Sequence, residues 1–203
     1  MMNADNMSEY SPAEEKALIR KRIRGIRRSL SAEQITEASA AVAKKVTALT
    51  AFADSKLMLS YMPAKNELDV TLINRVALAA GKRIAFPLCI ENGGLRLLVP
   101  ESADAFTVGS YGILEPDPDR SYEVTAEELD LIIVPGVAFS DDLRRLGQGG
   151  GYYDRLLAKT NAFTIGVGYD FQLLDSLPAE PHDLPLDMIV LPSLIFGRDK
   201  MSN

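Results

Sequence analysis

The sequence predicts an α/β protein, a single three-layer α/β/α domain with a mostly parallel central sheet. One observation is a series of short, nearly continuous apolar segments, at residues 56–61, 82–87, 95–99, 130–134, 164–169 and 188–191. A second is that segments with the apolar spacing of a helix lie between several of them. Strands that are apolar throughout and alternate with helices are typical of a parallel sheet buried on both faces.

The predicted helices have recognisable starts and ends. Pro12 follows the N-cap candidate Ser11, and apolar residues recur at helical spacing from there to about Leu30. Ser31 and Gln34 form a capping box that should start a second helix. Two further helices are predicted at residues 68–81, ending in a glycine, and at residues 153–159.

Length and composition fit one domain. The chain has 203 residues, and we place the domain at 12–196, with tails at 1–11 and 197–203 and an irregular excursion at 101–128. The net charge of −6 argues against general nucleic-acid binding. Cys89 is the one cysteine, so no intramolecular disulfide can form, and no signal peptide or 18-residue apolar span is found. We therefore expect a cytoplasmic protein that binds no membrane and acts as a monomer.

The most informative motif is RLGQGGGYYDR, residues 145–155, which follows an apolar strand candidate. Glycines let the backbone approach an anion or adopt positive φ. Tyrosines supply flat faces, and Asp154 at the start of a helix can hold a metal. The spacing matches neither the dinucleotide-binding nor the P-loop pattern. The motif indicates a loop that binds phosphate and a ring; the alternative is a glycine-rich connection whose tyrosines only pack.

The first helix carries two stripes. Ile19, Ile23, Ile26 and Leu30 form an apolar stripe, and Lys16, Arg20, Arg24 and Arg27 form a basic stripe beside it. Like charges at this spacing destabilise a helix by a few tenths of a kcal/mol per pair, so a shared anionic partner such as phosphate would explain them. A solvated basic face is the alternative.

Two loops carry further candidates. Glu67 lies between a strand and a helix, where it could accept two hydrogen bonds from an amino-pyrimidine edge, or merely favour the helix start. The segment 177–187 contains Asp183 and Asp187, candidate carboxylates for Mg²⁺ bound through phosphates. His182 is the only histidine, which argues against a histidine-rich zinc site or a Ser-His-Asp system.

Taken in order, these pieces resemble the 5-formyltetrahydrofolate cyclo-ligase family over about residues 16–191. The motifs that carry the resemblance are K-x-x-x-R at Lys16 and Arg20, YMP with Glu67, YGILEP (111–116), PGVAF (135–139), RLGQGGGYYDR (145–155) and LPAEPHD (177–183). The glycine-tyrosine motif is specific, whereas the others are weak alone. The family usually has aspartate and glycine where this chain has Ser140 and Leu143, a departure that bears on the turn before the motif.

The resemblance implies a role for each motif residue. The residues implied to bind ATP are Lys16, Arg20, Arg145, Leu146, Gly147, Gln148, Gly149, Gly150, Gly151, Tyr152 and Tyr153, of which Lys16, Arg145 and Tyr153 are implied to be catalytic. The residues implied to line the reduced folate are Met62, Glu67, Gln148, Gly149, Gly150, Gly151 and Tyr152. Asp154 and Asp183 are implied to bind Mg²⁺.

The implied reaction joins these sites. ATP phosphorylates the formyl oxygen of 5-formyltetrahydrofolate, and ring closure then gives 5,10-methenyltetrahydrofolate, ADP and phosphate. Catalysis by positioning and charge stabilisation would suffice, which agrees with the lack of a strong general base. Two alternatives remain open: a folate- or nucleotide-binding regulatory module without turnover, and an enzyme resembling sugar-phosphate isomerases or CoA-transferases.

Overall fold

The computed structural model describes residues 10–64, 66–90, 94–109, 112–178 and 184–197. Its α-helices are α1 (Pro12–Arg28), α2 (Ala32–Val46), α3 (Thr50–Asp54), α4 (Thr71–Ala79) and α5 (Tyr152–Leu157). Its strands are β1 (Leu57–Leu59), β2 (Arg83–Cys89), β3 (Leu95–Pro100), β4 (Phe106–Val108), β5 (Leu114–Pro116), β6 (Ser121–Val124), β7 (Leu131–Pro135), β8 (Ala138–Ser140), β9 (Arg145–Leu146), β10 (Phe163–Val167), β11 (Leu173–Leu174), β12 (Met188–Val190) and β13 (Ile195–Gly197).

The large sheet confirms the predicted fold class. Its strand order is β13-β12-β10-β7-β1-β2-β3-β6. The five central strands, from β12 to β2, pair in parallel, whereas β13, β3 and β6 join the edges antiparallel. All six predicted strand segments lie in this sheet.

Burial on both faces explains why the central strands are continuously apolar. In β7, Leu131 and Ile133 pack into one cluster, whereas Ile132 and Val134 pack into the other. Alternate side chains of a strand point to opposite faces, so every residue of this segment needs an apolar neighbour. Residues of α2 and α4 cover the first face, and residues of α5 cover the second. The result is the predicted three-layer arrangement.

The helix boundaries follow their local signals. The Ser31–Gln34 capping box is formed, and Ser11 forms a second one with Glu14. Gly81 follows α4 with a φ of +76°, a conformation that glycine adopts without strain. In the described part of the chain, no helix is long and apolar enough to span a membrane.

The structure also contains elements that the sequence did not predict. The segment predicted to be irregular contributes the β4–β5 hairpin and the edge strand β6. Residues 138–146 form the short β8–β9 hairpin, which directly precedes the glycine motif. These strands are two to four residues long, too short to give a readable apolar period.

Candidate functional site

The candidate site lies at the switch point of the parallel sheet. From β1 the chain continues to β2 on one side, whereas from β7 it continues to β10 on the other. The loops that leave the carboxyl ends of β1 and β7 therefore diverge, which opens a crevice where ligands of α/β sheets bind. A cavity of about 10 Å³ lies there, and its lining includes Arg27, Tyr61, Glu67, Pro135, Gly136 and Gln172.

Helix α1 is held at this crevice by its apolar stripe. Ile23 is fully buried and packs with Val137, Ala138 and Leu146 of the segment around the β8–β9 hairpin. The side chain of Leu146 therefore packs in the core, and only its backbone could face a ligand. Because the apolar stripe faces the hairpin, the adjacent basic stripe is turned toward the loops.

The basic stripe contacts the two loops that the sequence singled out. Arg20 donates from Nε to the carbonyl of Gly147 over 2.9 Å, and Arg24 donates to Oε1 of Gln148. Lys16 is 7% exposed and Arg27 is 6% exposed. A solvated basic face does not describe these side chains, because their charged ends meet the glycine loop or lie buried.

Glu67 is held by partners from three segments. Its Oε1 lies 3.0 Å from Nη2 of Arg27 and accepts from Nε2 of Gln148 over 3.4 Å. Its Oε2 accepts the amide hydrogen of Ala64 over 3.1 Å. Helix α4 begins only at Thr71 and has no acidic residue in its first turn, so a favourable helix start does not explain this glutamate. Nearby Met62 is half-buried against the first core cluster.

The glycine loop runs from β9 into α5. Gly149 and Gly151 have φ values of +107° and +65°, a region that side chains with a Cβ rarely adopt. The guanidinium of Arg155 donates to the carbonyl of Gly150 over 2.9 Å and lies 5.3 Å from the centre of the Tyr152 ring. Residues 148–150 are exposed, so their backbone is accessible to a ligand.

The two ends of the loop are joined by Arg145 and Asp154. Nη2 of Arg145 lies 2.7 Å from Oδ1 of Asp154, and the guanidinium lies 5.5 Å from the centre of the Tyr153 ring. The hydroxyl of Tyr153 is buried and has no hydrogen-bond partner within the described ranges. Burial raises the pKa of Tyr153, so the hydroxyl keeps its proton at neutral pH.

The metal candidates differ in what surrounds them. Asp154 presents a carboxylate whose side chain is 25% exposed, which suits Mg²⁺ held by one protein carboxylate and by phosphates. Asp183 and His182 lie outside the described residues, and among the described residues no cluster of three acidic, histidine or cysteine side chains could hold a metal. Asp187 accepts from the amide and hydroxyl of Thr164 at the amino end of β10. The interpretation of Asp187 as a metal ligand is therefore wrong, because it bridges two strands at the opposite edge of the sheet.

The two departures from the family pattern lie at the turn before the glycine motif, as the sequence indicated: Ser140 ends β8, and Leu143 lies between β8 and β9. Leu143 has a φ of +67°, in the left-handed region that a glycine would occupy without strain. Its amide donates to the carbonyl of Ser140, and its carbonyl accepts from Leu186. Ser140 is fully buried and donates to Asp142. This hydrogen bond is the main cause of the lowered pKa of Asp142.

Some site residues were not singled out from the sequence. Arg27 belonged to the predicted stripe but was given no role, although it makes the ion pair to Glu67. Tyr169 and Gln172 carry no motif, yet Tyr169 donates to the carbonyl of Glu67 and Gln172 donates to the carbonyls of Gly136 and Val137. The one sequence feature that could have indicated Tyr169 and Gln172 as site residues is their position just after a predicted parallel strand.

Comparison with known proteins identifies the family of this chain. The profile of the 5-formyltetrahydrofolate cyclo-ligase family matches residues 12–192. The chain belongs to this family. A probable 5-formyltetrahydrofolate cyclo-ligase of Schizosaccharomyces pombe is 32% identical over 79% of this chain and 87% of its own length. The 5-formyltetrahydrofolate cyclo-ligase of Escherichia coli K12 is 30% identical over 86% of this chain and 98% of its own length.

Solved structures of the family have the same fold. The 5,10-methenyltetrahydrofolate synthetase of Aquifex aeolicus superposes with a TM-score of 0.80 at 35% identity, over 93% of this chain and 95% of the other. The synthetase of Mycoplasma pneumoniae gives a TM-score of 0.73 at 27% identity, over 88% of this chain and 99% of the other. Membership of a cyclo-ligase family identifies this protein as an enzyme of the ligase class.

Proposed function

We propose that this cyclo-ligase converts 5-formyltetrahydrofolate to 5,10-methenyltetrahydrofolate and consumes ATP with Mg²⁺. The observation that carries the proposal is the position of Gln148. Its Oε1 accepts from Arg24 of the basic stripe, and its Nε2 donates to Glu67. A cationic region and a carboxylate suited to a heterocycle thus adjoin one another, as phosphoryl transfer between two small molecules requires.

The nucleotide half consists of the basic stripe and the glycine loop. Lys16, Arg20 and Arg145 supply positive charge, and the exposed backbone of residues 148–150 supplies amide donors. The charge on the transferring phosphoryl group is spread over its oxygens, so positioned cations and amides stabilise it. Tyr152 is half-buried beside this loop and offers a ring face to the nucleotide or the folate.

The folate half consists of Glu67, Met62 and the adjacent part of the loop. The carboxylate of Glu67 is held by a guanidinium and an amide, and its oxygens act as hydrogen-bond acceptors. It therefore fits the N–H donors along the amino-pyrimidine edge of a reduced folate. Met62 supplies an adaptable apolar contact for the ring system.

The chemistry has two steps. The N5-formyl oxygen attacks the γ-phosphorus of ATP, so an O–P bond forms while the bond to ADP breaks. N10 then attacks the formyl carbon and loses its proton to solvent, and the C–O bond breaks with release of phosphate. Phosphorylation is needed because an amide oxygen is a poor leaving group. The hydroxyl of Tyr153 is buried in this structure, so a catalytic role would require the loop to bring this donor to the oxygen that carries the developing charge.

Asp154, together with Asp183, would hold Mg²⁺, and the phosphates of ATP would supply further ligands. When bound, the ion would neutralise charge on the β- and γ-phosphates. Arg145 pairs with Asp154, so the same side chain that contributes charge to the phosphates also orients the carboxylate.

The two alternatives make different demands on the site. A sugar-phosphate isomerase needs a carboxylate poised for proton abstraction, whereas Glu67 is held in an ion pair. A regulatory module would bind the same ligands without turnover. A thermal-shift panel with Mg·ATP, folates and sugar phosphates tests which ligands bind, since a ligand stabilises the fold by RT ln(1 + [L]/Kd).

A turnover assay tests the reaction itself. Purified protein with Mg·ATP and 5-formyltetrahydrofolate should produce a near-ultraviolet chromophore, because ring closure conjugates N5 and N10 through the new carbon. ADP and phosphate should appear in amounts equal to that product. A non-hydrolysable ATP analogue should abolish the signal. Folded protein that binds both ligands but forms no chromophore would contradict the proposal and favour the regulatory module.

A further inference from the structure

Arg27 is a buried cation that the proposed reaction does not use. It lies on α1, one turn after the fully buried Ile23, and it is 6% exposed. Burial lowers its pKa, as expected for a charged group removed from water. Burying a guanidinium is costly unless its hydrogen bonds are satisfied, so its partners indicate what it is for.

Those partners are two consecutive residues of the loop after β1. Nε donates to the carbonyl of Asn66 over 3.1 Å, while Nη2 lies 3.0 Å from Oε1 of Glu67. In return, Nδ2 of Asn66 donates to the carbonyl of Arg27 over 2.9 Å. The φ of Asn66, +62°, lies in the left-handed region, so the loop is held in a conformation that favours Gly or Asn.

Together these contacts fix the carboxylate of Glu67 in space. Arg27 holds one oxygen, and the amide of Ala64 holds the other at 3.1 Å. The hydroxyl of Tyr169 holds the backbone of the same residue through its carbonyl, at 3.1 Å. The side chain of Glu67 is 15% exposed, so part of the constrained side chain remains accessible to a ligand. A carboxylate oriented before binding loses less rotamer freedom when a ligand arrives.

We infer that Arg27 is a positioning residue, which orients Glu67 toward the heterocycle of the folate and so sets folate affinity. The inference rests on the folate role proposed for Glu67. Arg27 touches no reacting atom and acts only through that carboxylate. The competing view is that the ion pair merely stabilises the loop.

A double-mutant cycle on Arg27 and Glu67 separates the two views. Arg27→Met should raise the folate KM about ten- to a hundredfold, the effect of losing a charge-assisted hydrogen bond, and leave the ATP KM within about twofold. Glu67→Gln should raise the folate KM in the same way. If Arg27 acts through Glu67, the double variant should bind folate no worse than Glu67→Gln alone, so the effects do not multiply.

Stability and rescue complete the test. Arg27→Met leaves a carboxylate without its counter-charge, so it should unfold at lower temperature than the double variant, which lacks that charge. Arg27→Lys keeps the charge but loses the planar fork, and it should restore part of the folate affinity. Arg28→Met is the matched control, because Arg28 is the exposed neighbour on the same helix and should have no effect on either KM.

The positioning role of Arg27 and the proposed reaction would be contradicted by different results. An unchanged folate KM in Arg27→Met, or effects of the two substitutions that multiply, would overturn the positioning role. If Arg27→Met does not fold, the other variants answer the same question. The folate KM of Arg27→Lys and that of the double variant are then each compared with the folate KM of Glu67→Gln. Absence of turnover in the wild type would instead overturn the proposed reaction, and calorimetric titration with 5-formyltetrahydrofolate would still report the effect of Arg27 on binding.

Discussion

Arg145 and Asp154 form an ion pair across the glycine loop, with 2.7 Å between Nη2 and Oδ1. The arginine lies in β9 before the loop, and the aspartate lies in the first turn of α5 after it. The arginine side chain is 5% exposed, so the pair is little screened by water. One contact thus closes the loop and joins a proposed phosphate ligand to a proposed metal ligand.

Asp154→Asn should abolish turnover while the protein stays folded. The amide cannot supply the negative charge that Mg²⁺ requires, but it keeps an oxygen that can accept from Arg145. We expect the free energy of unfolding to fall by about 1–3 kcal/mol, since a hydrogen bond to a charged group is weakened. Turnover at increasing Mg²⁺, together with urea unfolding, measures both effects.

The control for Asp154→Asn is Asp142→Asn. Asp142 forms a more exposed pair with Arg144 in the neighbouring turn, at the same type of contact distance. Exposed pairs contribute little, so this variant should keep full activity. Wild-type turnover in Asp154→Asn at saturating Mg²⁺ would remove Asp154 from the proposed metal site.

Lys16→Ala and Arg20→Ala should each weaken the use of ATP by about ten- to a hundredfold, the effect of a lost charge-assisted hydrogen bond. Arg20 also donates to Gly147, so its loss should further loosen the glycine loop. Steady-state kinetics with varied ATP measure the change. Arg22→Ala, an exposed position on the same helix, is the control; if it weakens ATP use as much as the other two, the stripe acts only through its net charge.

Tyr153→Phe should separate activity from stability. The hydroxyl is buried and has no hydrogen-bond partner in the described part of the chain, so its removal should leave the free energy of unfolding unchanged or raise it by about 1 kcal/mol. Turnover should fall at least about tenfold, because the proposed donor to the reacting oxygen is lost.

Tyr61→Phe is the matched contrast. The hydroxyl of Tyr61 donates to the carbonyl of Leu68 over 2.8 Å, so that variant should lose stability instead. A Tyr153→Phe enzyme with full turnover would remove the hydroxyl from the mechanism.

Stability should fall as the pH rises above about 10. Burial raises the pKa of Tyr61 and Tyr153, and it is the main cause of a pKa of about 12 for Tyr169. These phenols therefore stay protonated in the folded protein when the unfolded chain has already lost their protons. Their contribution is fully present below pH 10 and is lost as the pH rises. Unfolding measured from pH 8 to 11.5 should show this decline, and a less steep decline in Tyr153→Phe; equal slopes would contradict the assignment.

The sequence by itself determined the layers and the helix starts. Residues such as Leu131 to Val134 are apolar without interruption, and a short run of this kind is typical of a strand buried on both faces. Ser31 and Gln34 determined the start of α2 because a capping box is a local contact. The glycine-tyrosine motif located the loop, because positive φ and close backbone approach depend on residue type.

The tertiary structure decided how these parts meet. Glu67 and Arg27 are forty residues apart, and the packing of Ile23 against the β8–β9 hairpin turns the arginine toward the glutamate. Asp187 resembled a metal ligand in sequence, yet the register of β12 beside β10 places it at the opposite edge of the sheet. Strand order and register arise from long-range pairing, which leaves no mark in the local pattern of residues. They determine which charged side chains share the crevice, whereas the sequence determines only which side chains are available.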